Sequence, residues 1–386
     1  MSERSWKWLS VLVSLALIGV LLLIWQRMNH YEPTGTQLIS DKVVDQYLKK
    51  NWEPQVTASM EPTIRIKTGI FIQSLNFVDA SEVNLTGYIW QHYQDGVNDH
   101  EKPEKGEVGF VLPEQVNTGN DIDPREVYRI RNGDDEVIGW YFEATLRQTF
   151  EYPPYPFDNK SVWVRIWHKD FSRNVVLVPD LAAYRGTTLN DIFGIDESIV
   201  LGTWMRADTY FDYHPASYDT NFGIKDYIGM ADFPELRYNF VLRRQFGDAF
   251  IVHLLPLLMV LALLYGALLT ITSSSDMAER LGFSATGVIG SCSALFFVVL
   301  LAHMQLREQF AGSEIVYIEY FYFLMYVLLV AGAAYAYAFV VNPSGKLSFL
   351  YERNNLGLKI GFWPFVLACL AVISLVVMLR HPSVPV

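Results

Sequence analysis

Hydrophobic and polar residues alternate along most of the segment from residue 30 to residue 247. In the stretch TIRIKTGIFI, Ile64, Ile66, Ile70 and Ile72 fall on one face and basic residues fall on the other. The stretches VNLTGYIWQHY and GWYFEATLRQTF repeat this period of two, which is typical of half-buried strands. Turn-forming clusters such as RNGDDE and QDGVNDHEKPEKGE separate the runs. The pattern predicts many short strands, arranged as a sandwich or a barrel.

Two other local signals interrupt the alternation. The stretch SDKVVDQYLKK has the spacing of a short helix, with Ser40 as its N-cap. In FEYPPYPFDNKSVWVRI, Pro153 and Pro154 both lack an N–H donor, so a strand ladder does not run through them. Alternation resumes at Val162, which predicts a stiff turn followed by a strand.

Five long apolar runs lie outside this segment, and four of them follow residue 247. Each is long enough to cross a hydrocarbon core of roughly 30 Å. The composition agrees, since 51% of the residues are hydrophobic and the mean hydropathy is +0.17. The sequence therefore predicts an N-terminal membrane segment (1–29), an extracytoplasmic domain (30–247) and a transmembrane domain (248–386). The five runs are Trp8–Trp25, Phe250–Ile271, Leu281–Met304, Ile315–Val341 and Gly361–Leu379.

Basic residues near the short loops predict the orientation. Arg4 and Lys7 precede the first run, and Lys346, Arg353 and Lys359 lie around the last loop, so both places are predicted to be cytoplasmic. The strand-rich domain is then periplasmic or extracellular, in a multi-pass protein of the inner membrane. The first run is longer than a usual signal-peptide core and no small-x-small cleavage site follows it, which favours a retained anchor over a cleaved signal. Both alternatives stay open.

Charge and cysteine content narrow the possible partners. The segment from residue 30 to 247 has 21 Lys and Arg against 33 Asp and Glu, a net charge of −12. Nucleic-acid binding requires basic surface, so it is not expected. An acidic domain raises the local cation concentration, although solubility alone also explains the charge. Cys292 and Cys369 both lie in apolar runs, so no disulfide is expected in the extracytoplasmic domain.

Taken in order, several motifs resemble one family. They are TGIFIQSLNFVDASEVNLTGYIWQHY, LRQTFEYPPYPFDNKSVWVRI, VPD at residues 178–180, a basic pair before the second apolar run, and ERLGFSATGVIG. From residue 36 onward the chain resembles the bacterial members of the pentameric ligand-gated ion channels, the Cys-loop receptor superfamily. The resemblance implies an all-β, immunoglobulin-like sandwich of about ten strands followed by a four-helix transmembrane bundle. It also implies a homopentamer in the lipid bilayer, a small-molecule agonist or proton as stimulus, and permeating cations.

The YPFD stretch is similar to the family's signature turn, which couples the sandwich to the membrane helices. The resemblance assigns this coupling role to Tyr155, Pro156, Phe157 and Asp158, with Arg244 as the cation that pairs with Asp158. Prolines stiffen such a turn, whereas a glycine-rich turn would absorb movement. The alternative is a proline-stiffened turn that only ends a strand.

The resemblance also implies that the second bundle helix lines a pore. A helix beginning at Glu279 would place seven residues on one stripe with helical spacing. Glu279 would favour cations, Thr286 and Ser293 would replace lost water contacts, and Ile289 would close the path by dewetting together with Phe296. The stripe is Glu279, Gly282, Thr286, Ile289, Ser293, Phe296 and Leu300.

A rival face of the same helix carries small residues that are typical of helix packing in membranes. It is predicted to meet the other bundle helices, and it consists of Ser284, Gly287, Ser291 and Val298. Periodicity alone does not choose between the two faces. The family resemblance selects the first stripe.

Ligand recognition in this family uses aromatic residues, which attract amines by cation–π interaction. The stretch from Thr209 to Phe233 resembles the long flap before the last strand, and Trp167 lies in an earlier loop. Most of the aromatic residues of the chain are expected to serve packing. The candidates for ligand binding are Trp167, Tyr213, Tyr218, Phe222 and Tyr227.

Other functions have weaker support. The sequence contains no nucleophile–base pair, no metal-ligand spacing among its eight His and no phosphate-binding loop, so neither an enzyme nor a metal or cofactor site is expected. Glu319 is predicted to pair structurally within the membrane, and His303 is a candidate proton sensor. The competing class is a membrane-anchored sensor that kept the channel scaffold without conducting.

Overall fold

The chain forms two compact units in a computed structural model. One unit contains the strands and extends over Tyr31–Phe150 and Asn159–Arg243. The other contains the long helices and includes residues up to His30, the turn Glu151–Asp158, and the chain from Arg244 onward. The predicted boundaries at residues 30 and 247 are therefore nearly those of the units, except that the proline turn belongs to the helical unit. The structure describes residues 3–33, 35–53, 63–94, 107–116, 122–133, 135–189, 191–224, 232–310, 313–341 and 352–380.

The strand unit begins with a short helix, α2 (Asp41–Asn51), and Ser40 is its N-cap residue, as predicted. A short helix followed by strands is the order of elements predicted from the sequence. Ten strands follow within the described residues: β1 (Ile64–Phe77), β2 (Glu82–Gln94), β3 (Phe110–Val111), β4 (Gln115–Val116), β5 (Ile122–Asn132), β6 (Asp135–Arg147), β7 (Asn159–His168), β8 (Val175–Pro179), β9 (Trp204–Ala216) and β10 (Phe233–Arg244).

These strands form two sheets with an apolar core, the arrangement of a β-sandwich. One sheet has the order β4-β6-β2-β1-β8 with β5 paired to β6, and the other has the order β3-β7-β10-β9. Strands β1 and β8 pair in parallel, while β1 and β2 pair antiparallel. The core is built from alternate positions of both sheets, as a sandwich with two inner faces requires.

Strand β1 shows how the alternation is kept over fourteen residues. Ile66, Ile70 and Ile72 are buried in the core, as predicted. The register against β2 then shifts between Ile72 and Ser74, so Leu75 returns to the buried side. A bulge of this kind adds one residue to one strand and preserves the inward face.

The helical unit contains five helices that are long and apolar enough to cross a membrane, among the residues described. The protein is therefore a membrane protein. A short helix, α3 (Phe246–Ala249), and a π-helical turn lead into the second span. The remaining helices are α1 (Glu3–Met28), α4 (Leu255–Leu269), α5 (Ser275–Leu281), α6 (Ala285–Gln309), α7 (Glu319–Val341) and α8 (Glu352–Arg380).

The prediction of one continuous helix from Glu279 is wrong. Helix α5 ends at Leu281, and its C-cap residue Gly282 has a φ of 61°, in the left-handed region that favours glycine. Ser284 then caps α6, and its side chain accepts a hydrogen bond from the N–H of Gly287. Glu279 consequently lies on α5 and Gly282 between the helices, while the other five residues of the predicted stripe lie on α6.

Candidate functional site

The proline turn, defined here as Tyr152–Asp158, lies in the helical unit. It is held by two local bonds, from the N–H of Tyr155 to the carbonyl of Tyr152 and from the N–H of Phe157 to the carbonyl of Pro154. The Tyr155–Pro156 peptide bond is cis. The first half of the proline turn is bonded to the segment just before α7, because the N–H of Tyr317 donates to the carbonyl of Pro153 over 2.7 Å.

Asp158 and Arg244 form the pair that the resemblance implied. Arg244 donates to both carboxylate oxygens, from Nε over 2.8 Å and from Nη2 over 3.0 Å. Asp158 is fully buried, and the side chain of Arg244 is 11% exposed. Burial opposes the charge of Arg244, but the Asp158 carboxylate outweighs it and raises the pKa of the guanidinium. The pair therefore joins the end of the turn to Arg244, the first residue of the last segment of the helical unit.

Aromatic rings surround the rest of the turn. Phe157 stacks on Phe246 with ring centres 5.2 Å apart. Tyr155 packs against Phe310 at 4.5 Å and against His253 at 5.9 Å, and the Arg244 guanidinium lies 4.8 Å from its ring centre. Burial raises the pKa of Tyr155 to about 12, so its hydroxyl stays neutral at physiological pH. Phe157 thus lies beside the first residue of α3.

Helix α6 has one buried face, and it is not the rival face named above. It packs against α4 and α7, and its buried residues are Val288, Cys292, Val299 and Leu306. Ser284, Gly287, Ser291 and Val298 are exposed in the single chain, so the prediction that they meet the bundle is wrong. The reason is that branched and thiol side chains, not the small residues, fill the groove between α4 and α7.

The predicted pore stripe is uncovered along most of its length. Thr286 and Ser293 are exposed, and Ile289 and Leu300 are partly exposed. Phe296 is also partly exposed and lies at the border of the bundle, where its ring centre is 5.2 Å from that of Tyr326 on α7. Glu279 and Gly282 are exposed beyond the start of α6.

The polar residues near the end of α6 pair with a buried carboxylate at the start of α7. Glu319 is buried and accepts the N–H of Val316 over 2.8 Å. Arg307 and His303, one helical turn apart on α6, each approach one of its carboxylate oxygens at 3.4 Å. This confirms the predicted structural pairing of Glu319.

In the strand unit, three of the ligand candidates come together. Trp167, Tyr218 and Phe222 lie with ring centres 5.5 to 6.4 Å apart, and Phe171 completes the group. We call Trp167, Phe171, Tyr218 and Phe222 the aromatic cluster. Tyr227 lies outside the described residues.

Tyr213 does not join the aromatic cluster. It is buried in the core of the sandwich, where its hydroxyl donates to the carbonyl of Leu177. The predicted flap begins later than Thr209, because β9 continues to Ala216. Tyr213 is therefore an inward-facing strand residue.

A buried carboxylate that the sequence reasoning missed holds the aromatic cluster. Glu235, on β10, accepts the Nε1–H of Trp167 over 2.6 Å and the hydroxyl of Tyr218 over 2.5 Å. Its other oxygen accepts from Arg165 over 2.8 Å, and Arg165 also pairs with Glu114. The sequence did contain a signal for this group, since Arg165 and Glu235 are charged residues that lie two positions from aromatic residues on their strands.

Two carboxylates meet one guanidinium in this group, so it has a formal charge of −1. Oε2 of Glu114 is buried and has no hydrogen-bond partner among the described residues. A cavity of about 40 Å³ is lined by residues that include Trp167, Phe171 and Glu235, together with the charged residues Asp170 and Arg173. Aromatic faces next to a carboxylate are suited to a small cation.

His168, next to the aromatic cluster, gives a testable pH dependence. Its Nδ1 accepts the N–H of Asp170, and burial lowers its pKa to about 4. An unfolded His titrates near 6.5, so between pH 4 and 6.5 the unfolded state binds more protons. His168 should therefore lower the free energy of unfolding by up to about 3 kcal/mol as the pH falls through that window.

The measurement compares wild type with His168→Asn, which keeps an acceptor near Nδ1 but does not titrate. Denaturant midpoints of the purified protein at pH 7.5 and 4.5 should fall further for wild type than for the variant. Equal falls would show that His168 does not supply this dependence.

Among the described residues, no group of three or more His, Cys, Asp and Glu side chains is arranged to hold a metal ion. No protein-family model matches the chain. No significant match to a curated protein is found either. The geometry described above therefore has to support a functional proposal by itself.

Proposed function

We propose that this chain is one subunit of a homopentameric ligand-gated ion channel of the inner membrane. A small cationic agonist or a proton acts at the strand unit outside the cytoplasm, and the α6 helices of five subunits line a cation pore. The proposal joins the order of elements in the chain to three features of the described residues: the uncovered face of α6, the proline turn and the aromatic cluster.

The face of α6 is the observation that carries the proposal. Helix α6 lies in a candidate membrane span. Away from its buried stripe, its first half has mostly small and hydroxyl residues, among them Thr286, Gly290 and Ser293, and no other helix among the described residues covers them. A span that only faces lipid gains nothing from such residues. Around a central axis they line a path for hydrated ions, while Ile289 supplies an apolar constriction that closes by dewetting.

The proline turn supports the gating part of the proposal. The turn belongs to the helical unit, but both neighbouring residues, Phe150 and Asn159, belong to the strand unit. On the strand side, the Lys160 ammonium lies 4.2 Å from the ring centre of Phe77 and 4.7 Å from that of Phe150. In the proposed mechanism, displacement of β7 is passed along the chain through the turn to Tyr317, which precedes α7.

One specific observation favours the non-conducting sensor as a second candidate. The hydroxyls of Ser291 and Ser293 each donate over 2.9 Å to the carbonyl four residues earlier, Gly287 and Ile289 respectively. Hydroxyls satisfied in this way do not require water. Chemical crosslinking of the purified protein, followed by current recording in bilayers, separates the candidates: a pentamer that stays silent across agonist and pH screens favours the sensor.

We predict cation selectivity that depends on Glu279. To obtain current without a known agonist, the recordings use Ile289→Ser, whose polar side chain should keep the constriction wet. In a KCl gradient this variant should reverse near the potassium equilibrium potential, and Glu279→Ala added to it should move the reversal potential toward that of chloride. The ring of five carboxylates at the mouth is the physical reason.

The matched control is Val298→Ser, the same kind of change at an exposed position off the stripe. It should produce no agonist-free current. Anion selectivity of Ile289→Ser, or equal current from both Ser variants, contradicts the assignment of this stripe to the pore.

A further inference from the structure

Helix α1 packs along α8 through one narrow face. The residues on that face recur every three or four positions: Ser10, Ser14, Leu17, Leu21, Ile24 and Met28. Leu21 and Met28 are buried, whereas Trp8 on the same helix is 61% exposed. Small residues at one end of the face permit close approach of the two helices, as is common in membranes.

A hydrogen bond from α1 repairs a defect in α8. Pro364 lies inside α8 and has no N–H, so the carbonyl of Ile360, four residues earlier, has no helical donor. The hydroxyl of Ser10 donates to this carbonyl over 2.5 Å. An unpaired carbonyl is unfavourable in hydrocarbon, so α8 depends on α1 for a bond that it does not make itself.

The contacts also show that α1 and α8 run in the same direction. Ser10 meets Ile360 near the start of α8, and Trp25 donates from Nε1 to the hydroxyl of Tyr317 over 2.7 Å. The hydroxyl of Tyr317 in turn lies 2.6 Å from that of Ser374, later in α8. With five spans, the first and the last cross a membrane in the same sense, so this pairing agrees with α1 as a resident span.

Trp25 contacts the second half of the proline turn directly and is linked to the first half through Tyr317. Its ring centre lies 6.0 Å from that of Phe157 and 5.6 Å from that of Phe246. Its hydrogen-bond partner Tyr317 is the residue whose N–H holds the carbonyl of Pro153. One side chain of α1 therefore contacts the distal end of the turn and the residue that fixes its proximal end.

We infer that α1 is a permanent fifth membrane helix and that Trp25 is a positioning residue that holds the proline turn against the starts of the neighbouring helices. Loss of residues 1–29 would leave the Ile360 carbonyl without a donor and remove a ring from the junction. The placement stands independently of ion conduction. Only its consequence for gating rests on the proposed function.

Hydrogen exchange of the full-length protein in detergent tests the inference, together with the intact mass of protein purified from membranes. The mass should include residues 1–29. Trp25→Ala should raise the exchange rates of the Tyr155, Phe157 and Tyr317 amides about tenfold, because their acceptors lie in the turn that Trp25 packs against. Trp8→Ala, the same change at an exposed position, should leave these rates unchanged.

Trp25→Phe keeps a ring beside Phe157 and removes the donor to Tyr317, so it remains informative should the Ala variant not fold. Its exchange should rise mainly at the Tyr317 amide. A mature chain that lacks residues 1–29, or Trp25 variants with the exchange rates of Trp8→Ala, overturns the inference. Silence in bilayer recordings alters neither readout, so failure of the channel proposal is distinguished from failure of this one.

Discussion

Replacing Asp158 by Asn should lower the free energy of unfolding by about 3 kcal/mol, because it leaves the charge of Arg244 buried without a counter-ion. The carboxylate is fully buried and accepts both bonds of the guanidinium. Asn has nearly the same shape, so the loss reports the charge and not a cavity. Denaturant unfolding of the purified full chain measures it.

A double-mutant cycle with Arg244→Gln isolates the pair. The double variant should be less destabilised than the sum of the two single variants, since neither partner is then left alone. Asp276→Asn is the matched control: its partner Arg280 is one helical turn away, and both side chains are more than 70% exposed. That change should cost less than about 0.5 kcal/mol. Additive single effects at Asp158 and Arg244 would contradict the assigned pairing.

Replacing Arg165 by Met should destabilise the protein by about 3 to 5 kcal/mol at pH 7.5, because it leaves two carboxylates facing each other in a buried site. Glu235 has a side chain only 1% exposed, and Glu114 is nearly as buried. Burial by itself would lower the pKa of Arg165, but its bonds to Glu114 and Glu235 outweigh burial and raise it. The guanidinium is thus charged at every accessible pH.

Arg147→Met is the control, since Arg147 pairs with Glu82 while its own side chain is 64% exposed. It should cost less than about 1 kcal/mol. Equal losses for the two variants would contradict the view that Arg165 neutralises the base of the aromatic cluster.

The two ion pairs have a common place in the proposed mechanism. Arg165 and Glu235 fix Trp167 and Tyr218, which are the expected ligand contacts, and Asp158 with Arg244 fixes the proline turn. Strand β7 connects them, because Arg165 lies on it and its first residue, Asn159, follows Asp158. In the proposed mechanism, a ligand that moves the aromatic cluster would therefore act on the strand whose first residue follows the turn.

Tyr213 and Trp25 show where sequence reasoning stops. Both faces of β9 are buried around Tyr213, so aromatic character beside a flap does not reveal which way the side chain points. Trp25 lies in a run of apolar residues whose sequence indicates only that the run is long enough to span a membrane. Its partners follow it in sequence by more than a hundred residues. Helix α6 differs, because the glycine and serine that separate it from α5 were readable as a helix end and a helix cap.

The sequence by itself determined the strands, the membrane spans and the stiff turn, because alternation, apolar length and proline are properties of neighbouring residues. It also placed Asp158 and Arg244 as a pair through the resemblance. Only the tertiary structure decided which face of α6 packs inward, that Glu235 and Arg165 support the aromatic cluster, and that α1 completes α8. Those outcomes depend on contacts between residues far apart in the chain, and burial of a charge or an unpaired carbonyl is fixed only when those residues meet.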